Sequence, residues 1–211
     1  MRGATLIIAL SFLTSCAWVP GLNQVSDNEI GRVVTIAGQP RILRGDRYLE
    51  VGKKTAVEVK DVVITGLLEK AKIKMSDGTL ITLGPGSQFV FHVYSFREPG
   101  PIARMSFNSG SFRLKAGKLT KKEDARFEVT TPLAVIGVDS GEVWVGYLDE
   151  QAAGLTVALM GGGQITVGNR FGKVQLSKKS EATLVTFHGS PSNPVKRSDE
   201  KIRNAIRATS L

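Results

Sequence analysis

The chain has 211 residues, enough for one medium-sized domain, and 42% of them are hydrophobic while 22% are charged. This composition is typical of a soluble globular protein and excludes a disordered or membrane-embedded chain. A single cysteine and two histidines exclude an intramolecular disulfide and a four-ligand Cys/His zinc site. The net charge of +9 favours anionic surroundings without saying which.

The first sixteen residues have the pattern of a bacterial lipoprotein signal. Arg2 supplies a positive charge, and an apolar run over 4–13 follows it, which suits a secretory signal peptide but is too short to span a bilayer. Leu13-Thr14-Ser15-Cys16 then resembles the lipobox, whose cysteine receives diacylglycerol and becomes the mature N-terminus. We therefore predict a lipoprotein signal peptide over 1–15 and lipidation, including palmitate-type acyl chains, at Cys16.

The segment after the cysteine is predicted to be a tether, over 16–30. An ordinary signal peptide is the alternative, because Ser15 and Ala17 form a small-x-small site for cleavage after Ala17. Since Ala17 rather than aspartate follows the cysteine, resemblance to enterobacterial sorting favours the outer membrane. The expected location is the cell envelope, with the protein lipid-anchored and facing the periplasm.

Residues 31–189 have the pattern of an all-β domain. Apolar runs of about four to eight residues, rich in Val, Ile, Thr and Phe, are bounded by Gly, Pro, Asp or Asn. This spacing predicts an antiparallel-rich sandwich, a barrel or a β-solenoid-like domain rather than alternating strands and helices. The predicted strands are 32–36, 57–64, 71–76, 79–83, 88–93, 103–108, 111–116, 126–131, 142–148, 155–160, 164–167, 173–177 and 182–187.

Asp77-Gly78 lies between two of these runs and predicts a hairpin turn, because a type I′ turn needs positive φ at both central residues. A two-residue loop would pair Met75 with Leu80. That register would leave Ile81 on the same face as Lys72, which mixes polarity. A bulged loop, or a corner at which the chain moves to another sheet, is therefore the alternative.

Alternation within two predicted strands indicates which side chains face the core. In the first, Phe89, Phe91 and Val93 share one face, and Tyr94 lies on the other. In the second, residues 111–116, the apolar side chains point away from the basic ones.

Residues 190–211 are predicted to be a basic tail with a short helix. Ile202, Ala205 and Ile206 are spaced for one helical face behind Ser198, a suitable N-cap. From residue 194 the tail has five basic and two acidic residues, a net charge of +3, which suits anionic lipid headgroups or an anionic polymer.

Three segments resemble the FecR domain. Val51-Gly52 followed by Asp61-Val62-Val63-Ile64-Thr65 is similar to its "G…GD.I.T" element, and residues 73–91, which contain Asp77-Gly78, to its "v.l.l.DGs.l.l.p.S.l.l" core. Residues 127–138 are similar to its "f.v.TP.AviGV" strand. The resemblance covers about 31–189 and implies an all-β module. The motif residues it assigns to turns are Asp61, Thr65, Asp77, Gly78, Thr131, Pro132 and Gly137.

Two features depart from that family. Asp139-Ser140-Gly141 stands where the family commonly has Arg-Gly-Thr, which removes any partner contact made through that arginine. FecR-type sigma-factor regulators also have a cytoplasmic segment and a transmembrane helix before the domain, a pattern that residues 1–30 do not show. The resemblance therefore predicts the β module and not direct anti-sigma signalling across the inner membrane.

No catalytic residue, cofactor or metal ligand set is predicted. His92 and His188 have no positioned partner in the sequence, as a general base would require. Asp139-Ser140-Gly141 is interpreted as a turn, because it lacks the strand-turn-helix context of a nucleophile. Gly161-Gly162-Gly163 is interpreted as a loop or bulge, because the Lys-Ser/Thr and helix of a P-loop do not follow.

The leading hypothesis is a non-enzymatic, membrane-tethered module that binds or scaffolds an envelope protein or an anionic glycan. The alternative is a sensory or regulatory FecR-type protein that relays an envelope signal. Nucleic-acid binding is not predicted, because the basic residues are scattered and no aromatic residues are interleaved with them. The sequence favours no particular oligomeric state.

Overall fold

A computed structural model describes residues 28–96, 100–146 and 154–211, so the predicted signal peptide, Cys16 and most of the tether lie outside the described residues. The strands are β1 (Glu29–Ala37), β2 (Arg41–Arg44), β3 (Arg47–Glu50), β4 (Ala56–Glu58), β5 (Val62–Ile64), β6 (Lys70–Met75), β7 (Leu80–Leu83), β8 (Gln88–Ser95), β9 (Ile102–Ser109), β10 (Ser111–Lys115), β11 (Arg126–Thr130), β12 (Val135–Ser140), β13 (Glu142–Gly146), β14 (Gly154–Leu159), β15 (Gln164–Asn169), β16 (Gly172–Leu176), β17 (Glu181–Thr186) and β18 (Val195–Lys196). A short 3₁₀ helix, Leu119–Lys121, precedes β11, and α1 (Asp199–Ala208) follows β18.

The strands form two nine-stranded sheets packed as a sandwich. Sheet A has the order β4-β1-β6-β7-β10-β13-β14-β17-β18, and sheet B has the order β3-β2-β5-β8-β9-β11-β12-β15-β16. The chain passes from one sheet to the other after every one or two strands, so strands are added to both sheets in turn from the N-terminus to the C-terminus. Only β9 and β11 pair in parallel among the described strand pairs. The predicted all-β, antiparallel-rich class is confirmed, and the sheets form a sandwich.

The core lies between the sheets and is centred on four phenylalanines. Phe89, Phe91, Phe107 and Phe112 are almost completely buried, and their ring centroids lie 4.8 to 6.4 Å apart. Tilted and edge-on ring pairs of this kind add about 0.5–1.5 kcal/mol beyond the burial of each ring. These rings come from both sheets and hold them together.

The turn at Asp77-Gly78 has a three-residue loop, so the two-residue pairing is wrong and the bulged alternative is confirmed. Met75 N–H donates to the Thr79 carbonyl at 2.8 Å, and Gly78 N–H donates to the Met75 carbonyl at 3.0 Å. Gly78 has a φ of +87°, which glycine adopts without strain. The register pairs Ile73 with Ile81, which directs both to the core and the lysines of β6 outward.

The predicted strand over 57–64 is wrong, because the chain turns within it. β4 ends at Glu58 in sheet A and β5 begins at Val62 in sheet B. Between them Asp61 N–H donates to the Glu58 carbonyl at 3.2 Å, and Lys60 has a φ of +74°. The apolar run is continuous, but its two halves belong to opposite layers of the sandwich.

The prediction of which side chains of β8 point toward the core is wrong beyond Phe91. Phe91 pairs with Met105 and Val93 pairs with Arg104, so His92 forms a bulge. A bulge shifts the alternation by one residue. Val93 is consequently exposed and Tyr94 is buried.

The predicted C-terminal helix is confirmed as α1, which packs on the outer face of sheet A. Ala205 of the helix lies in a buried cluster with Trp144, Ala158 and Ala182 of the sheet. Lys70 Nζ of β6 donates to the carbonyls of Arg207 and Ser210 at 2.9 Å and caps the helix C-terminus, where a positive charge is favourable. Across the described ranges, helices long and apolar enough for a membrane span are absent.

Candidate functional site

Asp61 of the first motif is the buried partner of Arg44. The Arg44 guanidinium donates to both carboxylate oxygens, from Nε at 2.8 Å and Nη2 at 2.7 Å, and pairs with Glu58 at 2.6 Å. The Asp61 side chain is fully buried, and it also accepts the Glu58 backbone N–H at 2.8 Å. The hydrogen bond to Asp61 raises the pKa of Arg44. This motif residue therefore fixes the β4–β5 crossing between the sheets.

Thr65 of the same motif connects three segments through hydroxyl hydrogen bonds. Its Oγ1 donates to the Gly84 carbonyl at 2.7 Å and accepts the Ser87 N–H at 2.8 Å. Ser87 Oγ in turn lies 2.8 Å from the Gly84 carbonyl and 2.7 Å from the Ser111 carbonyl. All of these groups are buried, so the cluster satisfies backbone polar groups at strand ends.

Asp77 organises a second buried network. Its carboxylate accepts hydrogen bonds from the Thr79 N–H and Oγ1, both at 2.8 Å, from the Leu119 N–H at 2.9 Å, and from the Tyr94 hydroxyl. Burial, followed by the hydrogen bond to Asp77, raises the pKa of Tyr94, which keeps its hydroxyl a donor. The network joins the β6–β7 turn to β8 and to the 3₁₀ helix.

Thr131 and Pro132 form the tight turn between β11 and β12. Thr131 Oγ1 accepts the N–H groups of Leu133 at 3.2 Å and Ala134 at 3.0 Å, and Thr131 is itself buried. Pro132 is exposed at the tip. Gly137 lies within β12. A Cβ added at this position would make only ordinary van der Waals contacts, so the available space does not require glycine there.

The other polar candidates are not assembled into a catalytic site. His92 is exposed, with Nε2 2.8 Å from Ser106 Oγ. Gly141 turns the chain from β12 to β13 with a φ of +91°, and a Cβ there would overlap the Gly162 carbonyl. The glycine triplet packs against this corner and is a loop, as interpreted from the sequence. The interpretation of Asp139-Ser140-Gly141 as a turn holds only for Gly141, because Asp139 and Ser140 end strand β12. Groups of three or more potential metal ligands do not occur in the described ranges.

A surface groove adjoins the Thr131 turn. It has a volume of about 370 Å³ and is bordered by residues 131–135, 168–171 and 186–187, which belong to three turns or strand ends. Leu133 and Ala134 are its buried apolar floor. On its rim Val135 is 44%, Phe171 48% and Phe187 62% exposed.

The rim has a polar and cationic component next to these apolar side chains. The Arg170 guanidinium lies 4.6 Å from the centroid of the Phe171 ring. Asn169 holds this turn, because its Nδ2 donates to the Gly189 carbonyl at 2.8 Å and its Oδ1 accepts the Phe171 N–H at 2.9 Å. An apolar rim with one arginine has the composition of a protein-docking surface.

Comparisons with known proteins identify the domain. Residues 61–163 match the FecR protein family, and all seven motif residues lie within this range. The chain contains a FecR domain. The FecR resemblance is thereby confirmed, and FecR proteins are envelope-associated regulatory proteins rather than enzymes. None of the curated proteins matches the chain significantly.

Two solved structures share the fold of this FecR-domain protein. Both are crystal structures, at 2.50 and 1.65 Å resolution, of a candidate anti-sigma factor from Parabacteroides distasonis. The TM-scores are 0.54 and 0.52, each with 18% sequence identity, and the alignments cover 67% of this chain. They span 62% of the other chain, which is less than two thirds of its length. At this identity the likeness establishes the fold.

The FecR motifs supply only part of the groove. The Thr131 turn lies within the matched range, whereas residues 168–171 and 186–187 lie beyond it. Sequence reasoning identified the motif residues but missed their partners, the partly exposed Arg44 and the buried Tyr94, and it missed the groove. The missed groups come from strands that only the folded sheets bring together.

Proposed function

We propose that this FecR domain is a non-enzymatic regulatory module of the bacterial envelope that acts by binding another envelope protein at the groove beside Thr131. The observation that carries the proposal is the exposure of Val135, Phe171 and Phe187 around a buried apolar floor. Aromatic side chains held in water around a concave surface are favourable anchors for a protein partner.

The motif residues support this assignment because their polar groups are already used inside the domain. Asp61, Thr65 and Asp77 are buried and bonded to neighbouring segments, and Thr131 is buried and bonded within its own turn. They form the framework that positions the turn, while the exposed rim remains available for contact. A domain of this kind works by holding a surface in place.

A sensory or regulatory role is better supported than a purely scaffolding one. The FecR match and the likeness to a candidate anti-sigma factor both favour a protein that relays an envelope signal. In this account the bound partner is the source or the receiver of that signal. Scaffolding on an anionic glycan is the second candidate, favoured by a separate cationic surface described below.

Photo-crosslinking in cells tests the groove. With p-benzoylphenylalanine in place of Phe187, we expect a discrete covalent adduct with one envelope protein. The matched control is the same substitution at Leu68, which is 90% exposed but lies in the β5–β6 loop outside the groove. Equal adducts from both positions, or none from position 187, would contradict the proposal.

We also propose that the domain is tethered by acyl chains on Cys16, with the outer membrane as the favoured location. Two or three chains hold a protein at a membrane firmly, since each buried methylene contributes about 0.8 kcal/mol. Cells fed labelled palmitate are expected to label the wild-type protein and not Cys16→Ala. Label retained in Cys16→Ala, or a mature N-terminus beyond residue 16, would exclude this anchor.

A further inference from the structure

The register of sheet A brings cations that are separate in the sequence onto one outer face. Lys72 and Lys74 point outward from β6, because Ile73 between them is buried. Arg113 and Lys115 point outward from β10 in the same way. The four side chains form two parallel columns, which we call the basic columns.

Strand β7 separates the basic columns and gives the floor of a groove between them. Leu80 pairs with both Lys74 and Lys115. In the same way, Thr82 pairs with the other two residues of the basic columns, one on each side. Since adjacent strands lie about 4.8 Å apart and alternate residues on one strand about 7 Å apart, the columns are roughly 10 Å from each other. The groove has a volume of about 290 Å³, and residues 209–211 close one end.

Most of the charge in the basic columns is uncompensated. Arg113 is paired with Glu142 of the adjacent strand. Lys72, Lys74 and Lys115 take part in none of the ion pairs between described residues. Like charges lining a concave surface reinforce one another's potential and attract an anion of matching shape.

The shape of this face favours a linear polymer over a flat bilayer. Helix α1 lies on the same outer face of sheet A, over Trp144 beyond the column on β10, and its C-terminus reaches Lys70 of β6. A helix is about 10–12 Å across with its side chains, so it forms a step beside the groove. A bilayer resting on that step would be held away from Leu80, whereas a single extended chain fits between the columns.

From this geometry we infer that the groove between β6 and β10 binds a linear acidic glycan, whose carboxylate or phosphate groups pair with the basic columns. Leu80 gives the floor an apolar surface for the faces of sugar rings. The inference extends the proposed function by giving the domain a second partner, at a site separate from the apolar groove beside Thr131. The two sites have no lining residue in common.

Titration with alginate, a linear polymer of uronic acids, tests this site in the full-length protein in non-ionic detergent. Lys72→Gln/Lys115→Gln is expected to weaken binding about tenfold at low salt, since each exposed ion pair contributes a few-fold. Lys173→Gln/Lys179→Gln removes the same charge from exposed positions outside the groove and should change the affinity less than about twofold. Neutral dextran should not bind.

Four outcomes would overturn the inference: no alginate binding, equal weakening by the two double variants, unchanged binding by Lys72→Gln/Lys115→Gln, or groove-dependent attraction to phosphatidylglycerol vesicles without alginate binding. Lys115→Gln alone, at an exposed position that lines the groove, checks the same site if the double variant is poorly folded. The Phe187 adduct should persist in the lysine variants, so the failure of one site is distinguishable from the failure of the other.

Discussion

Asp77→Ala is expected to lower the free energy of unfolding by about 4 kcal/mol, because several buried donors lose one shared acceptor. The carboxylate accepts hydrogen bonds from Thr79, Leu119 and Tyr94, and none of these residues is exposed. Each donor left unpaired in the interior costs about 1–3 kcal/mol, and only part of this is recovered by rearrangement. Urea unfolding followed by circular dichroism measures the loss.

Two companion variants show whether the loss arises from the network. Tyr94→Phe removes one donor and keeps the carboxylate. It should therefore lower the free energy of unfolding by much less than Asp77→Ala does. Asp46→Ala removes an exposed carboxylate from the β2–β3 turn and should change stability by less than about 0.5 kcal/mol. The network account fails if Asp77→Ala is no more destabilising than Asp46→Ala.

Arg44→Met is expected to lower the free energy of unfolding by about 3 kcal/mol, because it leaves the Asp61 carboxylate buried without its cationic partner. Asp61 is fully buried and would retain only the Glu58 N–H among the contacts described above. The Arg44 side chain is 33% exposed, so some water can reach the vacated space, which places the cost near the lower end of the range for buried pairs. Denaturant unfolding of the purified domain gives the value.

The matched control for that variant is Arg47→Met, which removes an exposed arginine three residues away. Its stability should stay within about 0.5 kcal/mol of wild type. The stability of Arg44→Lys should lie between those of wild type and Arg44→Met, because lysine keeps a charge but cannot donate to both carboxylate oxygens in the bidentate way that arginine does. A cost for Arg44→Met equal to that of Arg47→Met would show that Asp61 does not depend on this pair.

Local sequence signals predicted the strands whose residues alternate and whose turns have clear chemistry. β6, β7 and β10 follow from alternating apolar residues and from the Asp77-Gly78 turn. β2 and β3 were missed because their arginines and the short turn at Gly45 obscure the alternation. The break within 57–64 was missed because an unbroken apolar run contains no sign that its halves enter different sheets.

The candidate sites depend on long-range pairing and could not be predicted from local patterns. Because of the bulge at His92, the Tyr94 side chain points to the side of β8 opposite to the one predicted. Its hydroxyl can therefore donate a hydrogen bond to the Asp77 carboxylate. The apolar groove joins the turn at residues 131–135 to residues 168–171 and 186–187, which are more than 30 residues further along the sequence. The basic columns exist because the three-residue loop shifts the β6–β7 register by one residue, which places the lysines of β6 beside Leu80 and Thr82 and not beside Ile81.

The central claim is that the motif residues hold the fold while the exposed groove residues contact a partner. The most direct test is photo-crosslinking from position 171, a second rim position of the groove, in the wild-type and Phe187→Ser backgrounds. We expect the adduct seen from position 187 to form in wild type and to be lost in Phe187→Ser, with an unchanged unfolding midpoint. An adduct that persists in Phe187→Ser, or a loss accompanied by unfolding, would contradict the account.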